Sequence, residues 1–480
     1  MDTRNFPISL LAASLLVGCT QMPAYKKPQP PIASTFPRST PAGVTVAKID
    51  WHTFFGDEQL RALISTALAN NRDLLLAVRR VEEVRALYGI QHANRLPNIS
   101  GSAFGSRYGI PAGVLPIQRD GTANQILLNQ FQVGLTSSAW ELDFWGRLRS
   151  LEVAALETYL ATDEARHAVQ TTVIAQVSNS YLIERELDER IDLAVQTIRT
   201  RQESARIAQR RFEVGSAARV DAVQAEILLS QAQSELAVLQ RLREQNHNAL
   251  EFLAGSSLPA KHRSLSSIEA KFVHSIDAGL PSDLLIQRPD LRAAERRLKA
   301  ANANIGAARA AFFPRIALTG SLGVASSELD GLFAGNSRTW SFMPSITLPL
   351  FDGGRNRAGL DLARARYNSA ITEYERSVQN AFRDVADALA ERHWLAEQIQ
   401  AQRASLEAQR ERGRIATLRY QHGAATYLEV LDAERELFSV AQALVQTRRA
   451  YLASGIKLYT ALGGGGGTPG EEDTQRRLNQ

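Results

Sequence analysis

Cysteine is nearly absent. The 480 residues contain one, Cys19, so no pair exists to staple the fold with a disulfide. Long hydrophobic runs are absent too. The mostly apolar stretch from Phe6 to Val17 is twelve residues, short of the ~18–20 that a transmembrane helix requires, and no later segment approaches that length. If the mature chain crosses a bilayer, it must do so with strands. Charge of one sign is not in excess: 55 Lys and Arg oppose 50 Asp and Glu, leaving a net +5 on interleaved residues. A nucleic-acid footprint needs basic residues clustered on one face, so no nucleic-acid partner is expected. The eight histidines are scattered without metal-ligand spacing. Neither a Gly-x-Ser-x-Gly elbow nor a phosphate-binding loop occurs. These absences argue against an enzyme and against a resident metal. Glycine and proline are missing from Arg147 to Val214, 68 residues in a row.

What is present begins at the N-terminus. One basic residue, Arg4, precedes the apolar run, which closes on Leu16-Val17-Gly18-Cys19. Its length suits a signal peptide, and its end resembles the bacterial lipobox. That resemblance implies removal of residues 1–18, acylation of Cys19, and a lipid-anchored tether over 19–58 that includes the proline-rich stretch Pro23 to Pro41. Thr20 stands where an acidic residue would favour inner-membrane retention, which implies sorting to the outer membrane. An ordinary signal peptide with an incidental cysteine is the alternative.

The chain also repeats itself. Gly146-Arg147, Tyr159, Arg211-Phe212-x-x-Gly215 and Ala225-Glu226 recur as Gly354-Arg355, Tyr367, Arg419-Tyr420-x-x-Gly423 and Ala433-Glu434, at an offset of 208. Upstream, Arg79-Arg80 and Leu96-Pro97 recur as Arg296-Arg297 and Phe313-Pro314 at an offset of 217. The nine-residue difference lies between Pro97 and Gly146, and the loop of the first hairpin is expected to absorb it. Two copies of a long unit indicate pseudo-symmetry. The first repeat is placed at 59–255, a linker at 256–281, the second repeat at 282–463, and a glycine-rich disordered tail at 464–480.

Each copy reads as a short helix, a strand pair and a long helical hairpin. The short helices are expected over Gln59 to Asn94 and Ser282 to Phe312. In the second long helix, Leu360, Tyr367, Tyr374, Ala381, Ala388 and Leu395 form one row at coiled-coil spacing. Ile371, Val378, Val385, Ile399 and Leu406 form the partner row. Gly215 and Gly423 are expected to end the long helices as left-handed caps. Between helices the period drops to two. Ile316, Leu318, Leu322 and Val324 alternate with Ala317, Thr319, Ser321 and Gly323, and Trp340 to Leu350 alternates likewise. These are strands of barrel length, apolar outward and small or polar inward, with hairpins at about 98–143 and 315–351. Their connecting loops are expected at about Gly109 to Gln130 and Ser326 to Thr339. Trp140, Trp145 and Trp340 sit near strand ends, where an aromatic girdle would lie. Four strands cannot close a barrel, so oligomerisation is required, and three copies would supply twelve. A soluble sheet resting on helices is the alternative.

Several stretches resemble the outer-membrane efflux lipoproteins of the OprM type, related to TolC. They are Ala139-Trp140-Glu141-Leu142-Asp143-Phe144-Trp145-Gly146-Arg147-Leu148-Arg149, then Leu280-Pro281-Ser282-Asp283-Leu284-Leu285 leading to Arg288-Pro289-Asp290. Ala300 to Gly306 with Phe312-Phe313-Pro314, Tyr427-Leu428 with Leu431-Asp432-Ala433, and Leu458-Tyr459 with Ala461-Leu462-Gly463-Gly464 complete the set. The resemblance implies a mixed membrane α+β fold. It would be a homotrimer whose twelve-stranded outer-membrane barrel, four strands per chain, continues into a coiled-coil periplasmic tunnel. It implies passive export of antibiotics or other toxic small molecules, with a periplasmic adaptor and an inner-membrane pump of the RND type as partners. A protein-secretion or metal-efflux conduit of the same architecture is the alternative.

Carried over residue by residue, the resemblance places a periplasmic gate at Leu428, Asp432, Arg435 and Tyr420. Three leucines would exclude water and three aspartates would form a cation-attracting ring. Read without the resemblance, Leu428 is an ordinary buried leucine, and Asp432–Arg435 is an i,i+3 ion pair worth roughly a few tenths of a kcal/mol. The adaptor would dock at the tips Val214-Gly215-Ser216 and His422-Gly423-Ala424. Where relatives tend to carry charged or amide residues, this tip carries His422, which could make opening or docking pH-sensitive. No cofactor is implied beyond the lipid on Cys19.

Overall fold

The computed structural model describes residues 20–29, 31–33, 35–36, 50–111, 125–259 and 287–464. Cys19 with its signal sequence, the Leu280 to Leu285 motif and the tail from Gly465 lie outside them. In chain order the elements are helices α1 (Trp51–Phe54), α2 (Glu58–Asn70) and α3 (Arg72–Ala93), then strands β1 (Ile99–Pro111) and β2 (Gln125–Leu142). Helices α4 (Arg147–Glu213), α5 (Arg219–Ala254) and α6 (Pro289–Ala310) follow. Strands β3 (Arg315–Ser326) and β4 (Arg338–Thr347) lead into helices α7 (Arg355–Gln421) and α8 (Tyr427–Ala461). The compact units do not follow the repeats. One contains Glu82–Ala161 and Ala294–Glu373, the other Thr162–Ala293 and the chain from Tyr374, so each takes material from both copies.

In the first unit the strands form one antiparallel sheet in the order β1-β2-β3-β4. No described helix is long and apolar enough to cross a membrane. Large apolar side chains stand exposed at alternate positions: Leu135 and Leu322 in the inner strands, and Trp340, Phe342 and Ile346 in β4. The strands run further than the period suggests, with β1 pairing β2 out to Pro111 opposite Gln125, so the connections shorten to 112–124 and 327–337. The nine extra residues are not all in a loop. Ile99 pairs Ser137, 38 positions on, whereas Ile316 pairs Ile346, 30 positions on, so the first hairpin holds eight. The ninth is a β-bulge. The β2–β3 register shifts between Ser137 and Trp140, and Ala139 there takes a φ of +52°. Past the bulge, Trp140 Nε1 donates to the Arg95 carbonyl at 3.0 Å and Trp145 Nε1 to the Pro314 carbonyl at 2.8 Å. Trp145 also stacks on Phe313, with ring centroids 4.7 Å apart. The N-terminal segment lies in the same unit, with Asn302 Nδ2 donating to the Pro23 carbonyl at 2.8 Å and Lys27 paired with Glu295 at 2.7 Å.

In the second unit the helix expected over Gln59 to Asn94 is two. Asn71 interrupts it in an extended conformation and caps α3, its Oδ1 accepting from the Leu74 amide at 3.0 Å while its Nδ2 donates to the Leu253 carbonyl at 2.9 Å. In the first unit, α6 stops at Ala310, short of the expected Phe312, because the residues before Pro314 are pushed out of the helical region. The heptad rows of α7 are buried at Tyr374, Val378, Ala381, Val385, Ala388, Ile399 and Leu406, while Leu360, Tyr367, Ile371 and Leu395 are half-exposed. Phe54 stacks flat on Tyr459, centroids 3.9 Å apart, and both are fully buried. Arg288, from the Arg-Pro-Asp motif, grips Asp290 at 2.7 Å and the Ala461 carbonyl at the end of α8 at 3.1 Å.

Candidate gate at the helical hairpin tips

Both long helices end identically. Gly215 and Gly423 take φ of +76° and +74°, a left-handed turn that glycine enters without a Cβ penalty. Ser216 N bonds the Arg211 carbonyl and Ala424 N the Arg419 carbonyl, each at 2.8 Å; Gly215 and Gly423 bond the Phe212 and Tyr420 carbonyls at 2.9 and 3.0 Å. These paired bonds satisfy helix-end carbonyls and reverse the chain. Val214, Gly215, Ser216, His422, Gly423 and Ala424 are all exposed. They form two polar-backbone tips with few large side chains.

Behind the tips the two hairpins share one small-residue core. Ala208 of α4, Ala222, Ala225 and Leu228 of α5, Ala416 of α7, and Tyr427, Val430, Leu431 and Ala433 of α8 are buried together. The alanines let helix backbones approach closely. Tyr420 of α7 packs against this core and is tied to the other hairpin: the Arg211 guanidinium donates to its hydroxyl and lies 5.0 Å over its ring.

Asp432 is held on both sides. Its Oδ2 accepts from Arg412 of α7 at 2.5 Å and its Oδ1 from Arg435 at 2.5 Å. The hydrogen bond from Arg412, then the charges of both arginines, hold its carboxyl below the usual carboxylate range. Asp432 is therefore more than half of an i,i+3 pair, because it also clasps α8 to α7. Leu428, one turn nearer the tip, is 52% exposed rather than buried. Both line a groove of about 210 Å³ whose far wall is Gln224, Ile227, Leu228 and Gln231 of α5. The repeat equivalent of Asp432, Gln224, thus faces it across the groove. Arg412 was not singled out by sequence, although it and Asp432 lie eleven and nine residues either side of Gly423. That near-equal spacing in a helical hairpin is the signal that finds it.

A second charged pair lies at the shared core. Arg201 of α4 is 4% exposed; its Nη1 donates to the Leu228 carbonyl at 2.7 Å and its guanidinium lies 5.4 Å from the Phe438 ring. Glu434 of α8 faces it. Burial pushes the Glu434 carboxyl up, and the Arg201 charge only partly opposes this. Arg201 Nε and Glu434 Oε2 have no hydrogen-bond partner among the described residues. The other groups here are the hydroxyl of Tyr427, bonded to Ser204 of α4, with Tyr420 of α7 and Asp221 of α5 beyond it. A raised carboxyl binds its proton more tightly in the packed arrangement. That packing is favoured fully below the ordinary glutamate range, and the contribution is lost as pH rises through the raised value. Acidification from neutral pH is expected to tighten the tips. Conductance in planar bilayers should fall as the pH drops from neutral towards the ordinary glutamate range, and Glu434→Gln should hold it low and flat. A variant that kept the full dependence would show that Glu434 does not carry the effect.

One chain thus carries a four-stranded sheet of lipid-length strands and two long helical hairpins that share a core near their tips, the features of a membrane channel. The chain belongs to the outer membrane efflux protein family, whose model matches residues 63–256 and 280–464. It is similar to the solvent efflux pump outer membrane protein SrpC of Pseudomonas putida, 42% identical over 472 residues covering 97% of this chain and 99% of that one. It is similar to the outer membrane protein OprJ of Pseudomonas aeruginosa, 41% identical over 464 residues covering 96% of each. Among solved structures, the open state of the Neisseria gonorrhoeae MtrE outer membrane channel superposes with a TM-score of 0.85 at 39% identity, covering 93% of this chain and 98% of that one. The protein is thus an outer-membrane efflux channel.

Proposed function

We propose that three copies of this chain form a passive duct, and that a periplasmic adaptor and an RND-type inner-membrane pump drive antibiotics, solvents and other toxic small molecules through it. The observation that carries this reading is one chain combining a four-stranded sheet, both of whose edges lack a partner strand among the described residues, with two long hairpins clasped near their tips. The SrpC relative's name, a solvent efflux pump protein, supports small molecules over proteins as cargo. Leu428, Asp432, Arg435 and Tyr420 close the periplasmic end, with Arg412 added as the second clasp on Asp432. The tips at Gly215 and Gly423 receive the adaptor. Cys19 carries the lipid, residues 1–18 are its signal peptide, and the sequence divides into two repeats at 59–255 and 282–463. The duct performs no catalysis; energy comes from the pump.

One experiment covers the reading. Restoring the gene to a deletion strain should restore solvent and antibiotic resistance, with the detergent-purified protein trimeric by light scattering and labelled by palmitate in a Cys19-dependent way. A complemented strain no more resistant than the deletion would sink the efflux assignment, a stable monomer the duct, and label retained by Cys19→Ser the anchor.

A further inference from the structure

The lipid-facing side of the sheet carries two cations and no anion among its described residues. Cross-strand pairs settle which residues share that side. Gly101 opposes Leu135, Leu135 opposes Leu322, and Leu322 opposes Trp340. Odd positions of β1, and of β2 before its bulge, therefore stand together with even positions of β3 and β4. Leu135, Leu322, Trp340, Phe342 and Ile346 make this the apolar side. The opposite side is small and polar, with Ser102, Gln132, Thr136, Ser321 and Ser341, and lines the duct. Four charged residues lie in the strands. Glu141 and Arg315 are on the duct side and pair with each other at 2.7 Å. Arg107 and Arg338 are on the lipid side. Both are exposed, and neither has a hydrogen bond or ion pair among the described residues.

The two arginines are equivalent in the repeat. Outgoing strands correspond at an offset of 217, Ile99 to Ile316, and returning strands before the bulge at 209, since Ile99 pairs Ser137 as Ile316 pairs Ile346. In the first hairpin Arg107 pairs Asn129, and the corresponding pair in the second is Val324 with Arg338. Each hairpin thus sets one arginine at the same cross-strand pair, on the outgoing strand in one copy and the returning strand in the other. The strand ends that join the long helices face the periplasm, so this pair lies toward the outer leaflet. From Ile316 to Val324 is eight residues, about 27 Å of strand and roughly 20 Å of height at the usual barrel tilt. That approaches the top of an apolar band ~25 Å tall. Below the pair, no described residue on the lipid side is charged. Trp340 sits two residues below Arg338 on the same side, at girdle level.

We propose that Arg107 and Arg338 bind the phosphates of the outer leaflet's phosphorylated glycolipid, lipid A, while the apolar side chains beneath them take its acyl chains. A lipid-facing cation is costly at the bilayer midplane and nearly free at the interface, where an arginine stem covers apolar surface and its head reaches the headgroups. The protein supplies no counter-charge to either guanidinium, and the leaflet does. A guanidinium meets phosphate with paired hydrogen bonds, which an acyl chain or a neutral headgroup cannot return. The inference rests on the outer-membrane channel reading and adds a lipid ligand to it. Three copies would place six such guanidinia at equivalent heights around the barrel. Both arginines belong to one chain, so binding per chain is defined whether or not copies associate.

The test titrates detergent-purified full-length protein with lipid A and follows binding by native mass spectrometry. Arg107→Gln and Arg338→Gln should each weaken it roughly fivefold, and together about twenty- to thirtyfold, the usual worth of a basic side chain at an anionic lipid surface. Dephosphorylated lipid A, with the same acyl chains, should bind the unaltered protein as weakly as lipid A binds the double variant. The pair Arg107→Lys/Arg338→Lys keeps both charges and should retain most of the binding. Equal binding of lipid A and its dephosphorylated form overturns the proposal, as does a double glutamine variant that binds like the unaltered protein. A lysine pair that loses as much as the glutamine pair also overturns it, because charge is then not what binds. Inorganic phosphate at matched concentration should leave lipid A bound; displacement would assign the site to free phosphate and overturn the lipid. Unaltered protein that is monomeric by light scattering, yet binds lipid A through its phosphates, overturns the trimer reading and leaves this site standing.

Discussion

Asp432→Ala should hold the channel open. Each copy then loses two charged contacts, Arg412 to Asp432 and Arg435 to Asp432, both at 2.5 Å. The groups are partly exposed, so each contact is worth only about 0.2–1 kcal/mol in water. Two per copy in three copies that move together would still cost the closed form on the order of 1–6 kcal/mol. About 1.4 kcal/mol is already a tenfold change in the open-to-closed ratio. The substitution also strands two arginines in the α7–α8 hairpin, where their mutual repulsion favours separation. The expected readout is a rise of roughly tenfold or more in open probability in bilayers, matched by greater uptake of an antibiotic normally kept out. Arg412→Ala should produce a smaller rise, since Arg435 remains. The clasp itself should be insensitive to pH across the neutral range. Its carboxyl is depressed, so its contribution is present above the ordinary aspartate range and is lost only as pH falls through the lowered value. Unchanged conductance and uptake would mean that Asp432 only orders its own hairpin.

Asp188→Ala should be the most damaging single change to stability. Asp188 is fully buried on α4, with Arg185 at 3.4 Å and Arg243 of α5 at 2.5 Å. Arg185 is itself 2% exposed and meets Glu184 at 3.5 Å, and Glu184 meets His247 at 3.2 Å. Removing one member of a buried ion pair leaves its partners' charge unbalanced where water cannot reach it, and typically costs about 3–5 kcal/mol. Thermal unfolding of the detergent-purified protein should show a large fall in midpoint, or no folded protein at all. Asp188→Asn keeps a hydrogen-bond acceptor and should lose less. Removing Arg243 together with Asp188 should recover part of the loss, because one stranded cation is gone. A midpoint for Asp188→Ala within experimental scatter of the unaltered protein would show that these charges are screened by other contacts.

Much of this molecule was legible in its residues. The absence of glycine and proline from Arg147 to Val214 determined one long helix, because nothing in that run breaks a 3.6-residue period. Gly215 and Gly423 determined where the long helices turn, since both turns demand a positive φ. The alternation after Pro314 determined strands of bilayer length. These are local properties: period, backbone freedom and length act within a few neighbouring residues.

Tertiary structure alone decided the rest. Every residue of the charged run Glu184-Arg185-Glu186-Leu187-Asp188 is buried, because Arg243, His247 and Arg449 arrive from other helices to match its charges. Asp432 reads as paired with Arg435, and only the folding of α7 onto α8 brings Arg412 to its other oxygen. The bulge at Ala139 is invisible in composition, since it exists only relative to the strand beside it. Leu428 reads as core or gate with equal ease until its exposed position in the groove is known. The repeat shows most plainly where the division falls. Its offsets of 208 and 217 were in the sequence, but that eight of the nine residues lengthen a hairpin and one kinks a strand depends on which backbone groups pair across the sheet. Such pairing joins residues far apart in the chain, and no local pattern encodes it.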